Sequence, residues 1–411
     1  MITPSFGLTA TERVLPKLAL DFTTASLDSR VTFTRSGNTA TVTNSNGIIT
    51  AVNANIPRFD YDPSTLTCKG LLIEETRTNI LIYSADFTNA SWVKTNTTVT
   101  GAAATAPDNT NSGCKLIATA VSGQHSVRLS NTYSVPANTA GSLSIYAKAA
   151  EYNTIAFAAT GASAFQVTFT LTGAGSISGL SGGTATITSV GNGWYRCTYT
   201  ATTTAYDFVP YIYCKQYSSF TGDGTSGLYI WGAQLEAGSF ATSYIPTVAS
   251  QVTRTADVAT MTGTNFSSWF NASQGAFAVT AICKSTPTAG KFPYTLHCLS
   301  TAGNDINLYQ NGATSQQAFI RVSNTGQATL NSTVVAANTL YTQVAAYKQD
   351  SFAGCVNAGT VQTDISGNVP TLTTMYIGAA STPTFELNGW VQKLNYWPQR
   401  VINAEVQAFS K

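Results

Sequence analysis

Only two histidines, His125 and His297, stand in a chain of 411 residues. Neither stands beside a Gly-x-Ser-x-Gly elbow, the turn that exposes a serine nucleophile to its base. A Ser/His/Asp or Cys/His unit therefore has no support in spacing. Glycoside hydrolysis needs two carboxylates facing each other across the scissile bond. The 19 acidic residues are mostly scattered singly, and the adjacent pair Glu74-Glu75 would point to opposite faces of a strand. The glycine-rich run Gly222-Asp-Gly-Thr-Ser-Gly227 lacks the lysine that a phosphate-cradling loop requires. The residues thus give no basis for an enzyme.

Binding chemistry is better represented. An aromatic face stacks on the apolar C–H side of a pyranose and tolerates a wet site. Tyr211 and Tyr213 share one face of their strand, Tyr229 and Trp231 share one face of theirs, and Tyr146 lies opposite Leu143 and Ile145. These five rings are the candidate glycan contacts; the competing reading places them in a sandwich core, above all Trp231 within Ile230-Trp-Gly-Ala233. No cofactor is expected beyond a calcium ion, whose hard oxygen ligands sit on loops. Asp223, between two glycines, and Asp305, after Asn304, are the candidate positions. Neither brings a series of ligands, so both also read as ordinary turn acids.

The elements that would carry these residues are strands. Charged residues make up 10% of the chain, against about 25% in a typical soluble domain, while threonine alone occurs 65 times. Small polar and β-branched residues suit strands and turns and starve helices. Phe165, Val167, Phe169 and Leu171 alternate with polar residues, as in a half-buried strand. Leu143, Ile145 and Ala147 do the same. Further strands are expected at 154–159, 194–201, 206–214 and 227–235, with Gly173–Gly183 as a glycine-rich turn. A second series runs from 276–283 through 294–299, 305–310, 317–322, 341–349, 351–357 and 373–378 to 386–397. Apolar residues on both faces of that last strand, with Trp390, Leu394 and Tyr396 on one and Val391 and Trp397 on the other, predict that it is covered on both sides. Val401, Ile402, Val406 and Phe409 recur at helical spacing after Pro398 and predict one short C-terminal helix. Residues 1–70 are thin in apolar periodicity and read as an irregular segment packing on a neighbour.

A formal charge of +2 argues against a nucleic-acid or membrane-surface partner, and no apolar run approaches the ~18 residues of a membrane helix. The N-terminus lacks a basic stretch followed by a long apolar run, so no secretory signal is expected. Seven scattered cysteines without a CxxC pair read as reduced thiols used as small apolar residues.

Thr78-Asn-Ile-Leu-Ile-Tyr-Ser-Ala-Asp-Phe-Thr-Asn-Ala-Ser-Trp92 resembles the opening of a domain common in structural proteins of tailed bacteriophages, itself similar to carbohydrate-binding jelly rolls. Gly193-Trp-Tyr-Arg-Cys197 and the run from Tyr229-Ile-Trp-Gly-Ala-Gln-Leu-Glu236 to Tyr244-Ile-Pro-Thr247 resemble its later strands. Arg254-Thr-Ala-Asp257 resembles the lead-in to a concanavalin/laminin-G-like sandwich, and Gly389–Phe409 its last strand and closing helix. Leu20-Asp-Phe22, Arg35-Ser-Gly37 and Gly70-Leu-Leu-Ile-Glu-Glu-Thr-Arg77 resemble the base that precedes such modules. The resemblance implies an all-β chain of two β-sandwich (jelly-roll) domains: an attachment segment over 1–70, a jelly roll over 71–248 and a second sandwich over 249–411. It also implies a non-enzymatic virion protein, made in the bacterial host cytoplasm, that decorates the capsid or forms a head fibre or tail appendage. Its partners would be other virion proteins, further copies of itself as a trimer or dimer, and host glycans. A receptor-binding lectin of the tail and a polysaccharide depolymerase are the alternatives.

Overall fold

Alternating runs of Thr, Val and aromatic residues form antiparallel strands throughout. The computed structural model describes residues 15–37, 40–130, 135–136, 138–159, 165–202, 211–284, 292–301, 303–381 and 385–411. The chain is all-β and builds two sandwiches.

In the jelly roll, one six-stranded sheet runs Thr184–Ser189, Trp194–Thr202, Ala140–Ala149, Gly227–Ala237, Gly113–Ala118, Thr97–Ala104; we call it the back sheet. The front sheet runs Ser176–Ser181, Phe165–Thr170, Thr154–Ala159, Tyr211–Cys214, Ser126–Leu129, Trp92–Thr95. Leu143, Ile145, Phe157, Phe169, Ile212 and Ile230 are fully buried between them. The stretch read as a glycine-rich turn contains the strand Ser176–Ser181, all of it exposed. An edge strand with both faces wet needs no apolar alternation, which hid it. Of the strand expected at 206–214, Tyr211–Cys214 forms; residues 206–210 lie outside the described residues, as does the start of the chain through residue 14.

The second sandwich overturns the division at residue 70. Its eight-stranded sheet contains Gln274–Cys283 and Gly389–Trp397, but also Phe59–Tyr61, Cys68–Ile73 and Leu18–Asp21. Leu18 lies opposite Tyr396, and Leu72 opposite Trp390. Its seven-stranded sheet runs Thr32–Thr34, Val258–Thr262, Thr374–Ile377, Tyr294–Leu299, Asp305–Asn311, Ser315–Val322, Thr325–Thr333. Residues 18–73 are therefore part of the sandwich, with Leu18, Leu20, Phe22, Phe33, Leu71 and Ile73 in its core. Short strands separated by prolines disguised a real core contribution. The jelly roll is an insertion: Arg77–Asn79 leads into it and pairs with Val252–Arg254, which leads out.

The last strand is covered on both sides, but its faces are not those of a regular alternation. A β-bulge at Gln392 shifts the register between Val391 and Lys393, so Val391 joins Leu394 and Tyr396 in the core. Trp390 turns the other way, and Trp397 stacks on Phe409 of the closing helix Asn403–Phe409, rings 4.2 Å apart. A second short helix, Gly263–Ser267, was not expected; its Phe266 fills the core beside Trp269.

Six of the seven cysteines are buried and Cys68 is half-buried. Burial raises the Cys68 thiol above its ordinary range. A maleimide reagent on the native protein should label Cys68 slowly and the other six only after denaturation, read by mass spectrometry. Fast labelling of Cys197 or Cys298 in native buffer would contradict this packing.

Candidate functional site

The rings proposed as a glycan platform divide into two groups. Tyr146, Tyr229 and Trp231 stand on the outer face of the back sheet, which is covered. Tyr146 is 4% and Trp231 2% exposed, and they pack with Trp194 and Tyr244. The hairpin Ala40–Thr43/Ile49–Val52 closes over them: Ile49 packs against the cluster and donates its N–H to Pro107 O at 3.0 Å. Thr41 Oγ1 donates to Tyr244 O at 2.5 Å. Tyr146 and Trp231 thus belong to the seam between the two sandwiches and have no free ring face; Tyr229 is half-buried at its margin. A sequence pattern places a ring on the outside of a sheet but not what lies over it.

Tyr211 and Tyr213 stand on the outer face of the front sheet, stacked with centroids 5.9 Å apart. Tyr213 lies opposite Ala156, packs against Tyr217 and is 2% exposed, so it is a floor rather than a platform. Burial pushes its hydroxyl far above the usual tyrosine range. Tyr211 is the half-open ring of the pair, with the Arg128 guanidinium 5.5 Å over its centroid.

Neither calcium candidate has an uncommitted carboxylate. Asp223 accepts from Thr225 N (2.8 Å), Ser226 N (2.7 Å) and Ser226 Oγ (2.5 Å). The Ser226 hydroxyl, then these amides, hold its carboxyl well below the usual range. It closes its own turn. Asp305 is 1% exposed, pairs with the Arg321 guanidinium and accepts from Asn307 Nδ2 at 2.8 Å. Among the described residues no group of three His, Cys, Asp or Glu side chains could hold a metal ion. His125 is buried with Nδ1 2.5 Å from Asn96 O and Nε2 3.1 Å from Phe220 O, a structural position.

The densest chemistry is at the seam, where Arg35, Glu74, Arg254 and Asp257 come together from three runs that the sequence singled out only for their resemblance. Glu74 and Asp257 have fully buried side chains and face Arg35, Arg58 and Arg254, also fully buried, and Lys284, 15% exposed. Arg58 Nη1 is 2.9 Å from Glu74, Lys284 Nζ 2.6 Å from Glu74, and Arg35 Nη1 3.1 Å from Asp257. Arg58 also pairs with Asp257. Ser243, on the exit of the jelly roll, donates to Glu74 through its N–H (2.9 Å) and hydroxyl (2.7 Å). Burial alone would raise the Glu74 carboxyl, but Lys284, Arg254 and Arg58 outweigh it and hold it well below the usual range. Burial lowers Arg254 and Lys284 in turn. Four cations meet two carboxylates here, in a cluster that joins residues 35–74, the jelly-roll exit and the second sandwich.

No protein-family model matches the sequence, and no curated protein does. Among solved structures the chain is similar to the CBM40 module of the Ruminococcus gnavus IT-sialidase bound to α2,3-sialyllactose, at 13% identity and a TM-score of 0.30, over 34% of this chain and 83% of that one. It is similar to the NanB sialidase from Streptococcus pneumoniae at 9% identity and a TM-score of 0.30, over 36% of this chain and 26% of that one. The SAP-like pentraxin from Limulus polyphemus follows at 12% identity and 0.25, over 34% and 70%. The fold assignment itself rests on the strand pairing described above.

Proposed function

We propose that the protein is a non-enzymatic structural protein of a tailed-bacteriophage particle, decorating the capsid or projecting as a head fibre or tail appendage. On this reading it is made in the host cytoplasm and assembles as a trimer or dimer with other virion proteins. The half-open Tyr211 on the front sheet of the jelly roll is its point of contact with host glycans.

The observation that carries the reading is where the phage-like residues sit. Asn79, in the run Thr78–Trp92, is fully buried and ties three segments together. Its Nδ2 donates to Ala233 O (3.1 Å) and Ile245 O (2.9 Å), and its Oδ1 accepts from Leu81 N and Leu235 N. Trp92, at the end of that run, is 2% exposed, and its Nε1 donates to Tyr83 O at 3.1 Å. Gln234, in the later stretch, accepts from Ile245 N at 2.6 Å and donates to Glu236 at 2.7 Å. The resembling residues are the framework that closes the jelly roll on itself, which supports a shared module.

Cryo-electron microscopy of purified particles, labelled with an antibody fragment raised against the folded chain, tests this. Label over the head or at a tail appendage is the expected result. Intact particles that carry no label would remove the structural reading.

A further inference from the structure

We propose that the open edge strand Thr184–Ser189 of the jelly roll pairs with the same strand of a second copy, making a twofold dimer. The proposal rests on the reading above, in which the chain assembles as a trimer or dimer, and commits it to the dimer.

Among the described residues the two sheets of the jelly roll end in four edge strands. An edge presents unpaired N–H and C=O groups, and proteins guard it with charge or with bulges. Three of the four are guarded. Trp92–Thr95 carries Lys94. Thr97–Ala104 is bulged, with Ala102 left-handed at a φ of 51°. Ser176–Ser181 loses register beside Gly179, at a φ of 59°. Thr184–Ser189 has neither device. It runs in unbroken register against Tyr195–Thr200, and no charged residue or proline stands between Glu151 and Arg196.

Val190 donates its N–H to Trp194 O at 2.9 Å. By alternation, the backbone groups of Thr188, Thr186 and Thr184 also face Trp194–Thr202. Those of Ala185, Ile187 and Ser189 then point away from the sheet. An antiparallel copy centred on Ile187 sets Ile187 opposite its own counterpart and Ala185 opposite Ser189 of the second copy. That register forms about six backbone hydrogen bonds. On the outer face, where Thr184, Thr186 and Thr188 are all exposed, Thr186 meets Thr188 of the second copy, a favourable cross-strand pair.

The inner side adds an apolar reason. Residues directly opposite each other share a face of the sheet. Ile177 lies opposite Phe169 and Ile187 opposite Cys197, and both of those partners are fully buried between the sheets. The two isoleucines therefore point into the gap between the sheets, yet Ile177 is 36% exposed and Ile187 is half-buried. The sandwich is open on this side. A second copy continues the back sheet across the opening and brings its own Ile187 beside these side chains. A charged strand of another protein would gain no ion pair here, whereas an isologous copy brings the same uncharged residues.

Sedimentation equilibrium on the purified full chain, from about 1 to 100 µM, tests the pairing, because a contact this small belongs to the weaker class of interface. A reversible monomer–dimer equilibrium is the expected result. Thr186→Lys, at an exposed position, should weaken it roughly tenfold or more while melting as the parent does. A mixture of Thr186→Cys and Thr188→Cys chains should form a linked dimer on mild oxidation, since residues opposed in a non-hydrogen-bonded pair have Cα atoms about 4.5 Å apart. Either variant alone should crosslink far less. The proposal fails if the chain stays monomeric at about 100 µM, which would leave the edge to a different protein, or if it forms a trimer. It fails equally if Thr186→Lys dimerises as the parent does, or if the mixture crosslinks no better than each variant alone. The readout uses free protein, so failure here leaves the particle-labelling result untouched, and absent label leaves the dimer untouched.

Discussion

Replacing Glu74 with glutamine should destabilise the fold by about 3–5 kcal/mol, the usual result of removing one partner from a buried ion pair. The substitution keeps the side-chain volume and one acceptor for Ser243 but removes the charge that faces Arg58, Arg254 and Lys284. Four cations would then share Asp257 alone. Urea unfolding reads the effect, and a loss under about 1 kcal/mol, the scale of one ordinary hydrogen bond, would sink it. Adding Lys284→Met to Glu74→Gln should recover part of the loss, because the orphaned ammonium is removed with its partner. The pH dependence has a definite sign. Glu74 is held below its ordinary value of 4.5 in the folded state, so its contribution is complete above that pH and declines as pH falls towards the folded value. The parent should lose stability below about pH 4.5 more steeply than Glu74→Gln. Parallel acid profiles would assign the acid sensitivity to other groups.

Cutting the chain at the ends of the inserted jelly roll should give two unequal pieces. A fragment spanning residues 75–256 keeps both six-stranded sheets and the ribbon that closes them. It should fold alone. A fragment spanning residues 249–411 loses Leu18–Asp21, Thr32–Thr34, Phe59–Tyr61 and Cys68–Ile73, and with them Leu18, Leu20, Phe22, Phe33, Leu71 and Ile73 from the core. At roughly 1.5–3 kcal/mol for each large apolar side chain, the deficit rivals the whole 5–15 kcal/mol that holds a typical domain folded. It also leaves Arg254 and Lys284 beside Asp257 without Glu74. The 249–411 fragment should be unfolded or insoluble. A dispersed amide spectrum and a cooperative melt from it would show that the first 73 residues are dispensable.

The strands were legible where apolar residues alternate, as at Phe165–Thr170 and Asp305–Asn311, because one face is buried and the period is 2. The closing helix was legible from Val401, Val406 and Phe409, and its N-terminus is fixed by Glu405 accepting from Ile402 N. The edge strand Ser176–Ser181 and the strands of residues 18–73 were not. The first has no buried face, and the others are too short to show a period. The nested topology is a matter of long-range pairing, such as Leu18 with Tyr396, to which local periodicity is blind. For the same reason the sequence could name Tyr146 and Trp231 but not the hairpin that covers them. It gave His297 and Asp305 as isolated residues because their common face arises from strand register. Of the buried ionic cluster the sequence showed members but not their meeting: Arg35, Glu74, Arg254 and Asp257 lie in runs singled out by resemblance, yet in a chain with 10% charged residues they fall in loops or short strands where solvation would have been the default reading.

The position of Leu18 opposite Tyr396 also sets a timetable. On a ribosome adding about 5–20 residues per second, the N-terminal strand emerges roughly 20–80 s before its partner exists. During that interval the jelly roll is synthesised whole and can close on itself, while residues 18–73 wait with Leu18, Phe33 and Leu71 unburied. A segment that must wait is served by being short-stranded, interrupted by Pro57 and Pro63, and poor in long apolar runs. The features that make residues 18–73 look irregular are those that keep a nascent chain from aggregating before its last strand arrives.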